Sequence, residues 1–189
     1  MNLEDYIKIY DGVVPLSTLV SIIKWSKTQK FENGGLGDKN TINKNIRNVE
    51  LLSFLNWKNN SKTKIHWTNF LVKVIRFYTE RYFKDVNLSA FRNMESVNDI
   101  SLLKYGIGGK YEPHTDHMAS NIRVLSFILL LNNDYEGGKL KFMSDENTLL
   151  KKIDVQPSRL IVWPSNFMFP HGVEPITKGT RYSIVAWVQ

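Results

Sequence analysis

Two spacings of hydrophobic residues divide the chain into a helical part and a strand-rich part. Helical spacing predicts one helix from Pro15 to about Gln29 and a second from Ser61, which can cap it, to about Lys84. The inward face of the second helix is predicted to consist of Ile65, Trp67, Phe70, Leu71, Val74, Ile75, Tyr78 and Tyr82. We therefore expect helical support over about residues 15–84, packed against one face of a sheet.

After residue 96 the helical spacing stops and short apolar runs alternate with turn residues. The predicted strands are 100–105, 111–117, 122–131, 139–143, 158–163 and 180–188, with a further short strand near Ile7. Glu136-Gly-Gly138 and Pro164-Ser-Asn166 carry hairpin signals. The pattern predicts an α+β, mainly β fold, and by itself it leaves a sandwich and a double-stranded β-helix (jelly roll) equally open.

A polar, glycine- and asparagine-rich stretch separates the two predicted helices. Residues 31–47 offer turn formers and few apolar side chains. Connections of this length are usually functional or disordered. We interpret the stretch as a flap over a site, and a plain disordered loop is the alternative.

Composition fits a single domain spanning residues 1–189, with 42% hydrophobic and 23% charged residues. The sequence contains no cysteine, so disulfides and thiolate metal ligands are excluded and only histidine and carboxylates remain as strong ligands. We see no signal peptide or membrane span, and we expect a cytoplasmic monomer. The net charge of +7 is scattered, so nucleic-acid binding is not expected.

His114 and Asp116 stand two residues apart in a predicted strand, so their side chains should share a face. His171, just after an apolar strand and a turn, is the candidate for a third ligand. Two imidazoles and one carboxylate on one side of a metal are typical of non-haem Fe(II) sites. Such a pair also occurs by chance, so the alternative is a motif without a metal. His117 is out of phase with the pair, and we predict that it is not a ligand.

A longer set of motifs resembles the 2-oxoglutarate- and Fe(II)-dependent oxygenases, and within them is most similar to the prolyl 4-hydroxylase group. The resemblance is carried by Tyr105-x5-Tyr111-x2-His114-x-Asp116, Arg123, Glu136-Gly-Gly-Lys-Leu140, His171-Gly-Val and Gly179-Thr-Arg-Tyr-Ser-Ile-Val-Ala-Trp187. It is close from about residue 97 to the end, and it implies a catalytic jelly-roll core over about 97–189. This resemblance favours the double-stranded β-helix over a plain sandwich.

The resemblance also implies roles for individual residues, in three sets: the iron ligands His114, Asp116 and His171; the 2-oxoglutarate residues Arg181 and Tyr105; and the peptide-side residues Tyr111, Arg123 and Trp187. For Trp187 the structural alternative is a core residue, as is usual for tryptophan in an apolar strand. An interior arginine is costly unless it meets an anion, and a dicarboxylate would supply one.

The implied reaction uses Fe(II), 2-oxoglutarate, O2 and ascorbate as reductant, hydroxylates a prolyl residue of a peptide or protein, and releases succinate and CO2. Typical prolyl 4-hydroxylases have lysine where this chain has Arg181, and often threonine where it has Leu140. The target therefore stays open. The alternatives are an oxygenase acting on another amino-acid side chain or on nucleic acid, and a jelly-roll binding module without activity.

Overall fold

A computed structural model describes residues 2–37, 41–56, 61–89, 96–117 and 122–189. They form a 3₁₀ helix, two α-helices and fourteen strands. The helices are the 3₁₀ helix Leu3–Tyr6, α1 Leu16–Ser26 and α2 Lys62–Asp85. The strands are β1 Lys8–Tyr10, β2 Glu32–Asn33, β3 Arg47–Asn48, β4 Glu50–Ser53, β5 Val97–Tyr105, β6 Lys110–His114, β7 Leu125–Leu130, β8 Glu136–Gly137, β9 Leu140–Met143, β10 Leu149–Lys152, β11 Leu160–Pro164, β12 His171–Val173, β13 Ile176–Lys178 and β14 Arg181–Val188.

The strands build two main antiparallel sheets. The larger has the order β1-β11-β7-β14-β5-β4-β2, and the smaller has the order β10-β9-β12-β6-β3. A further two-stranded sheet pairs β13 with β8. Chain neighbours such as β6 and β7 lie in different sheets, so the chain passes repeatedly from one sheet to the other. This is the jelly-roll arrangement, and it confirms the predicted α+β, mainly β class with a double-stranded β-helix core.

Both faces of the larger sheet are covered, which explains why its central strands are apolar throughout. Along β14, Tyr182 and Ile184 pack in the cluster that contains the two helices, whereas Val185 and Trp187 pack in the cluster between the sheets. Successive side chains of a strand point to opposite faces, so each residue has a partner layer. The faces predicted for residues 181–188 are thus confirmed, and the inner face of β14 points toward the smaller sheet.

The helix α2 begins after Ser61, whose side chain accepts a hydrogen bond from the backbone N–H of Lys64 at 3.1 Å. The predicted cap and the predicted end near Lys84 are both correct, since α2 ends at Asp85. The other helix, α1, ends at Ser26, three residues before the predicted end.

The buried face of α2 differs from the predicted one at its N-terminal end. Ile65 is 40% exposed, whereas Lys64 and Thr68 are buried. The buried side chains recur at three- and four-residue spacing through Leu71 and Ile75, so the polar pair at the start belongs to the same stripe. Their polar atoms are satisfied because Thr68 donates to the carbonyl of Lys64 at 2.9 Å and Lys64 donates to the carbonyl of Asn56. Choosing the inward face by apolar side chains alone was therefore wrong here.

Neither predicted hairpin is present. The stretch around Glu136–Gly137 leads from β7 in the larger sheet to β9 in the smaller one, and β8 pairs with β13 instead. Residues 164–166 likewise lead from β11 in the larger sheet toward β12 in the smaller one. Turn residues mark where a chain reverses, but they do not determine which sheet receives the next strand. In a jelly roll that next strand is often in the opposite sheet.

The stretch 31–47 is partly built into the sheets. Its strand β2 pairs with β4, β3 at its end pairs with β6, and Leu36 forms an isolated bridge with Thr41. Residues 38–40 lie outside the described part. A plain disordered loop is therefore wrong for the described residues of this stretch. Neither helix of the described chain has the long apolar run that a membrane crossing requires.

Ser158 fastens the N-terminal segment to the turn before β11. Its hydroxyl accepts from the Val14 N–H at 2.7 Å and donates to the Val14 carbonyl at 2.6 Å, while its own carbonyl accepts from the Val13 N–H at 3.1 Å. The residue is 2% exposed and has a φ of 64°. One side chain thus satisfies two backbone groups that would otherwise be buried without a partner.

We expect Ser158→Ala to lower the free energy of unfolding by about 1–3 kcal/mol, because it leaves buried backbone groups unpaired. Urea unfolding at neutral pH measures the change. Ser17→Ala, at an exposed position of α1, is the matched control and should leave stability nearly unchanged. Equal stability of the Ser158 variant and the wild type would show that the hydrogen bonds between Ser158 and Val14 do not stabilise the fold.

Candidate active site

Three potential metal ligands meet between the sheets. In the ladder between β6 and β12, His171 lies opposite His114, and Asp116 follows two residues after β6 ends. One ligand atom from each residue lies within 4.8 Å of the others. The Asp116 carboxylate is 3.8 Å from Nε2 of His114 and 3.5 Å from Nε2 of His171. The structure therefore brings together the three residues that the sequence selected.

Strand alternation, which predicted that Asp116 lies near His114, is not what places it there. The predicted strand 111–117 would have carried both His114 and Asp116 on one face, but β6 ends at His114. Asp116 lies in the segment that follows, where its carboxylate accepts a hydrogen bond from Ser126 of the opposite sheet. Contact across the sandwich, rather than strand alternation, sets its position.

Each histidine has its ring orientation fixed by a backbone carbonyl. Nδ1 of His114 lies 2.9 Å from the carbonyl of Glu112, and Nδ1 of His171 lies 3.1 Å from the carbonyl of Phe169. A carbonyl can only accept, so Nδ1 must carry the proton and Nε2 presents its lone pair. Burial, together with the neighbouring His171, lowers the pKa of His114 to about 3, so this imidazole is neutral at pH 7.

Asp116 is held by a pair of buried hydroxyls. Ser126 donates to its Oδ2 at 2.6 Å, and the Ser126 and Ser165 hydroxyls lie 2.7 Å apart. Burial raises the pKa of Asp116, but the two nearby imidazoles and the Ser126 hydroxyl outweigh burial and bring the pKa below its usual range. The carboxylate is therefore ionised at neutral pH, as a metal ligand must be.

The donor set fits a divalent metal such as Fe(II). Two imidazole nitrogens and one ionised carboxylate converge, and all three residues line one cavity. Within the described residues, His117 is exposed and lies at the cavity wall outside the cluster, and its exclusion as a ligand stays a prediction. His66 is also exposed, on the far layer formed by α2.

Arg181 is enclosed completely, with 0% of its surface exposed. All three of its guanidinium nitrogens lack a hydrogen-bond partner among the described residues. Its guanidinium carbon lies 5.0 Å from the centre of the Tyr105 ring, directly across the β14–β5 ladder. On the same face of β14, the Ser183 hydroxyl is also buried without a partner. A buried unpaired charge is strongly unfavourable, so this end of the site is suited to an anion.

The three potential metal ligands line a cavity of about 530 Å³. Its wall includes Tyr105 and all three residues predicted for the substrate side, namely Tyr111, Arg123 and Trp187. The Arg123 guanidinium lies 3.7 Å from the centre of the Trp187 ring, which is the geometry of a cation–π contact. The volume is within the range of small-molecule pockets.

Sequence reasoning missed two charged residues of the cavity wall, Arg47 and Asp99. Asp99 shares its strand face with Ser101, Leu103 and Tyr105, so the alternation of β5 could have identified it. Burial raises its pKa. Arg47 lies on the two-residue strand β3, within a stretch that the sequence assigned to a flap, and no periodicity marks so short a strand.

Comparison with known proteins agrees with this geometry. Residues 100–189 match the model of the 2OG-Fe(II) oxygenase superfamily. A PKHD-type hydroxylase from Prochlorococcus marinus is 31% identical over 133 residues, which cover 68% of this chain and 55% of that protein. The chain spans about half the length of the curated relatives it matches.

Solved structures of prolyl hydroxylases share the fold. One, from Trichoplax adhaerens and bound to a hypoxia-inducible-factor peptide, is 21% identical with a TM-score of 0.77 and covers 97% of this chain and 83% of that one. A Pseudomonas putida prolyl-4-hydroxylase is 16% identical with a TM-score of 0.72 and covers 97% of this chain and 92% of that one.

The fold and the cluster together define a jelly-roll domain whose His-Asp-His group could hold a metal ion. Residues 100–189 belong to the 2OG-Fe(II) oxygenase superfamily, and relatives of the chain support the prolyl hydroxylase group within it. Membership implies Fe(II) and 2-oxoglutarate as cofactor and cosubstrate, together with O2.

We expect Ser126→Ala to weaken metal binding by about 10- to 100-fold, because Asp116 loses the hydrogen bond that orients its carboxylate. Titration of the metal-free protein with Co(II), followed by its visible absorption, measures the affinity. Ser165→Ala removes only the outer hydroxyl and should have a smaller effect. Unchanged affinity in the Ser126 variant would contradict the role of this hydroxyl pair.

Proposed function

We propose that the protein is an Fe(II)- and 2-oxoglutarate-dependent dioxygenase that hydroxylates a prolyl residue of a peptide or protein and releases succinate and CO2. The observation that carries this proposal is Arg181, a fully enclosed guanidinium without a hydrogen-bond partner among the described residues, which faces Tyr105 on the wall of the cavity that holds the two histidines and one aspartate. A group of three metal ligands alone would be compatible with many reactions. The enclosed positive charge of Arg181 favours a cosubstrate that binds the metal through one end and carries a second anionic group at the other.

In this proposal His114, Asp116 and His171 hold the iron, and Arg181 holds the distal carboxylate of 2-oxoglutarate. When bound, the iron and 2-oxoglutarate supply the oxidation of a C–H bond by O2. Tyr105 is 1% exposed, faces Arg181 and lines the cavity, so it is placed to border the same carboxylate. Burial raises the pKa of Tyr105, so its hydroxyl stays protonated and is available as a donor.

The substrate side of the proposal rests on the cavity wall and on relatives. Tyr111, Arg123 and Trp187 line the cavity, and they combine flat aromatic surface with one guanidinium. A solved relative of the same fold is a prolyl hydroxylase bound to a peptide, and curated relatives are named as hydroxylases. Gly35, Leu36 and Gly37 also line the cavity, so the proposed flap would limit access of water to the site.

Four further expectations remain predictions. Ascorbate is expected to act as the reductant that keeps the iron divalent. The protein is expected to act as a monomer, and the cytoplasmic location follows only from the sequence. The extent of a single domain over residues 1–189 is likewise a prediction.

We expect His114→Ala and Asp116→Ala each to abolish conversion of 2-oxoglutarate to succinate, because each removes one of three metal ligands. Succinate is measured by mass spectrometry in the presence of Fe(II), ascorbate and a proline-rich peptide. His66→Ala, an exposed histidine on α2, is the matched control and should keep wild-type turnover. Wild-type turnover in His114→Ala or in Asp116→Ala would contradict the proposal.

The target is tested by which molecule stimulates that conversion. We expect proline-containing peptides to stimulate succinate formation and to gain the mass of one oxygen on proline, since the cavity combines aromatic and cationic walls suited to a peptide. A glycine-serine peptide is the control. Stimulation by lysine-containing peptides or methylated oligonucleotides instead would identify a different target. If the protein binds metal tightly but forms no succinate, the alternative of a jelly-roll binding module without activity is favoured.

A further inference from the structure

Tyr135 carries a buried hydroxyl that the site described above does not use. The residue follows β7 in the passage toward β9, and its ring packs at the edge of the core between the sheets. Its hydroxyl oxygen is buried and makes no well-aligned hydrogen bond to a described residue, although the Arg181 guanidinium lies close enough to lower its pKa. A buried hydroxyl without a partner costs free energy, so such groups usually have a ligand or a structural reason.

The position of this ring is fixed next to Arg181 by two glycines. A Cβ atom on Gly138 would lie 3.2 Å from Cδ of Arg181 and 3.3 Å from Cε2 of Tyr135, so the two side chains flank the same point of the backbone. A Cβ atom on Gly179 would lie 3.0 Å from Cα of Tyr135. Both glycines have positive φ, 63° and 77°, which favours glycine on conformational grounds as well. The absence of side chains at these positions lets Tyr135 approach the strand that carries Arg181.

The chemistry of the two groups is complementary to one anion. The guanidinium offers only donors, and the Tyr135 hydroxyl can donate one more hydrogen bond. Burial raises the pKa of Tyr135, while the Arg181 charge offsets part of that effect, so the hydroxyl is protonated at neutral pH. A carboxylate has about four lone-pair positions, enough to accept from both side chains at once.

We propose that the Tyr135 hydroxyl donates a hydrogen bond to the distal carboxylate of 2-oxoglutarate beside Arg181, which makes Tyr135 a cosubstrate-binding residue. This inference rests on the proposed function. It explains why a hydroxyl is buried at the edge of an otherwise apolar core. Tyr135 thereby helps the site to prefer a dicarboxylate over a shorter acid.

The test compares wild type with Tyr135→Phe, which keeps the ring and removes only the hydroxyl. Calorimetric titration of the Fe(II)-loaded proteins without oxygen gives the affinity for two ligands: 2-oxoglutarate, and oxalate, which can chelate the metal but has no distal arm. We expect about 10- to 100-fold weaker binding of 2-oxoglutarate and unchanged binding of oxalate, as the loss of one charge-assisted hydrogen bond requires. Tyr182→Phe, next to Arg181 but on the opposite face of β14, is the control and should bind both ligands as wild type does.

Each other outcome overturns the inference in a distinguishable way. Unchanged affinity for 2-oxoglutarate in Tyr135→Phe would show that the hydroxyl does not reach the carboxylate. Equal losses for 2-oxoglutarate and oxalate would show that Tyr135 only maintains the shape of the site. If wild type binds oxalate but not 2-oxoglutarate, the proposed function itself fails along with the role of Tyr135.

Discussion

A positive charge sealed between two sheets is the constraint on which the rest of this site depends. Arg181 is fully buried, and its neighbours in the core are apolar or aromatic. In such surroundings a charge without a counter-ion costs several kcal/mol. The nearby carboxylate of Asp116 is already engaged by two imidazoles and the Ser126 hydroxyl. A bound dicarboxylate would supply the compensating anion, which is the role proposed for 2-oxoglutarate.

The layers of the molecule make that arrangement possible. The helices cover the outer face of the larger sheet, which leaves its inner face free to carry the site. Along β14, Arg181 and Trp187 lie on this inner face with Val185 between them. Six residues of extended strand span about 20 Å. One rigid strand thus sets the separation between the anion-binding end and the side of the cavity where Arg123 and Trp187 meet.

The sequence predicted the parts of the fold that have clear periodicity. The long strands β5, β7 and β14 and the helix α2 were found within a few residues, because each has enough turns or alternations to produce a pattern. The short strands β3 and β12, of two and three residues, were not predicted, because each carries too little periodicity. The hairpins were wrong because a turn signal contains no information about which sheet follows.

The site could be predicted in its residues but not in its geometry. The resemblance named His114, Asp116 and His171, and these three do meet, although their role as iron ligands stays a proposal. What the sequence could not show is that Asp116 leaves its strand to reach Ser126 of the opposite sheet. Tyr135 was missed for a similar reason, since only the folded chain places it beside Arg181.

The described part of the stretch 31–47 is joined to His114 by a continuous series of side-chain contacts. The Arg47 guanidinium lies 4.7 Å from the centre of the Tyr111 ring, and that ring stacks on His114 at 3.5 Å with an interplanar angle of 18°. Arg47 also donates to the carbonyl of Gly35, which lines the cavity. Because these contacts form one chain, the position of Gly35 and the orientation of the His114 ring depend on the same two side chains. The segment is thus part of the wall that supports the site, in addition to covering it.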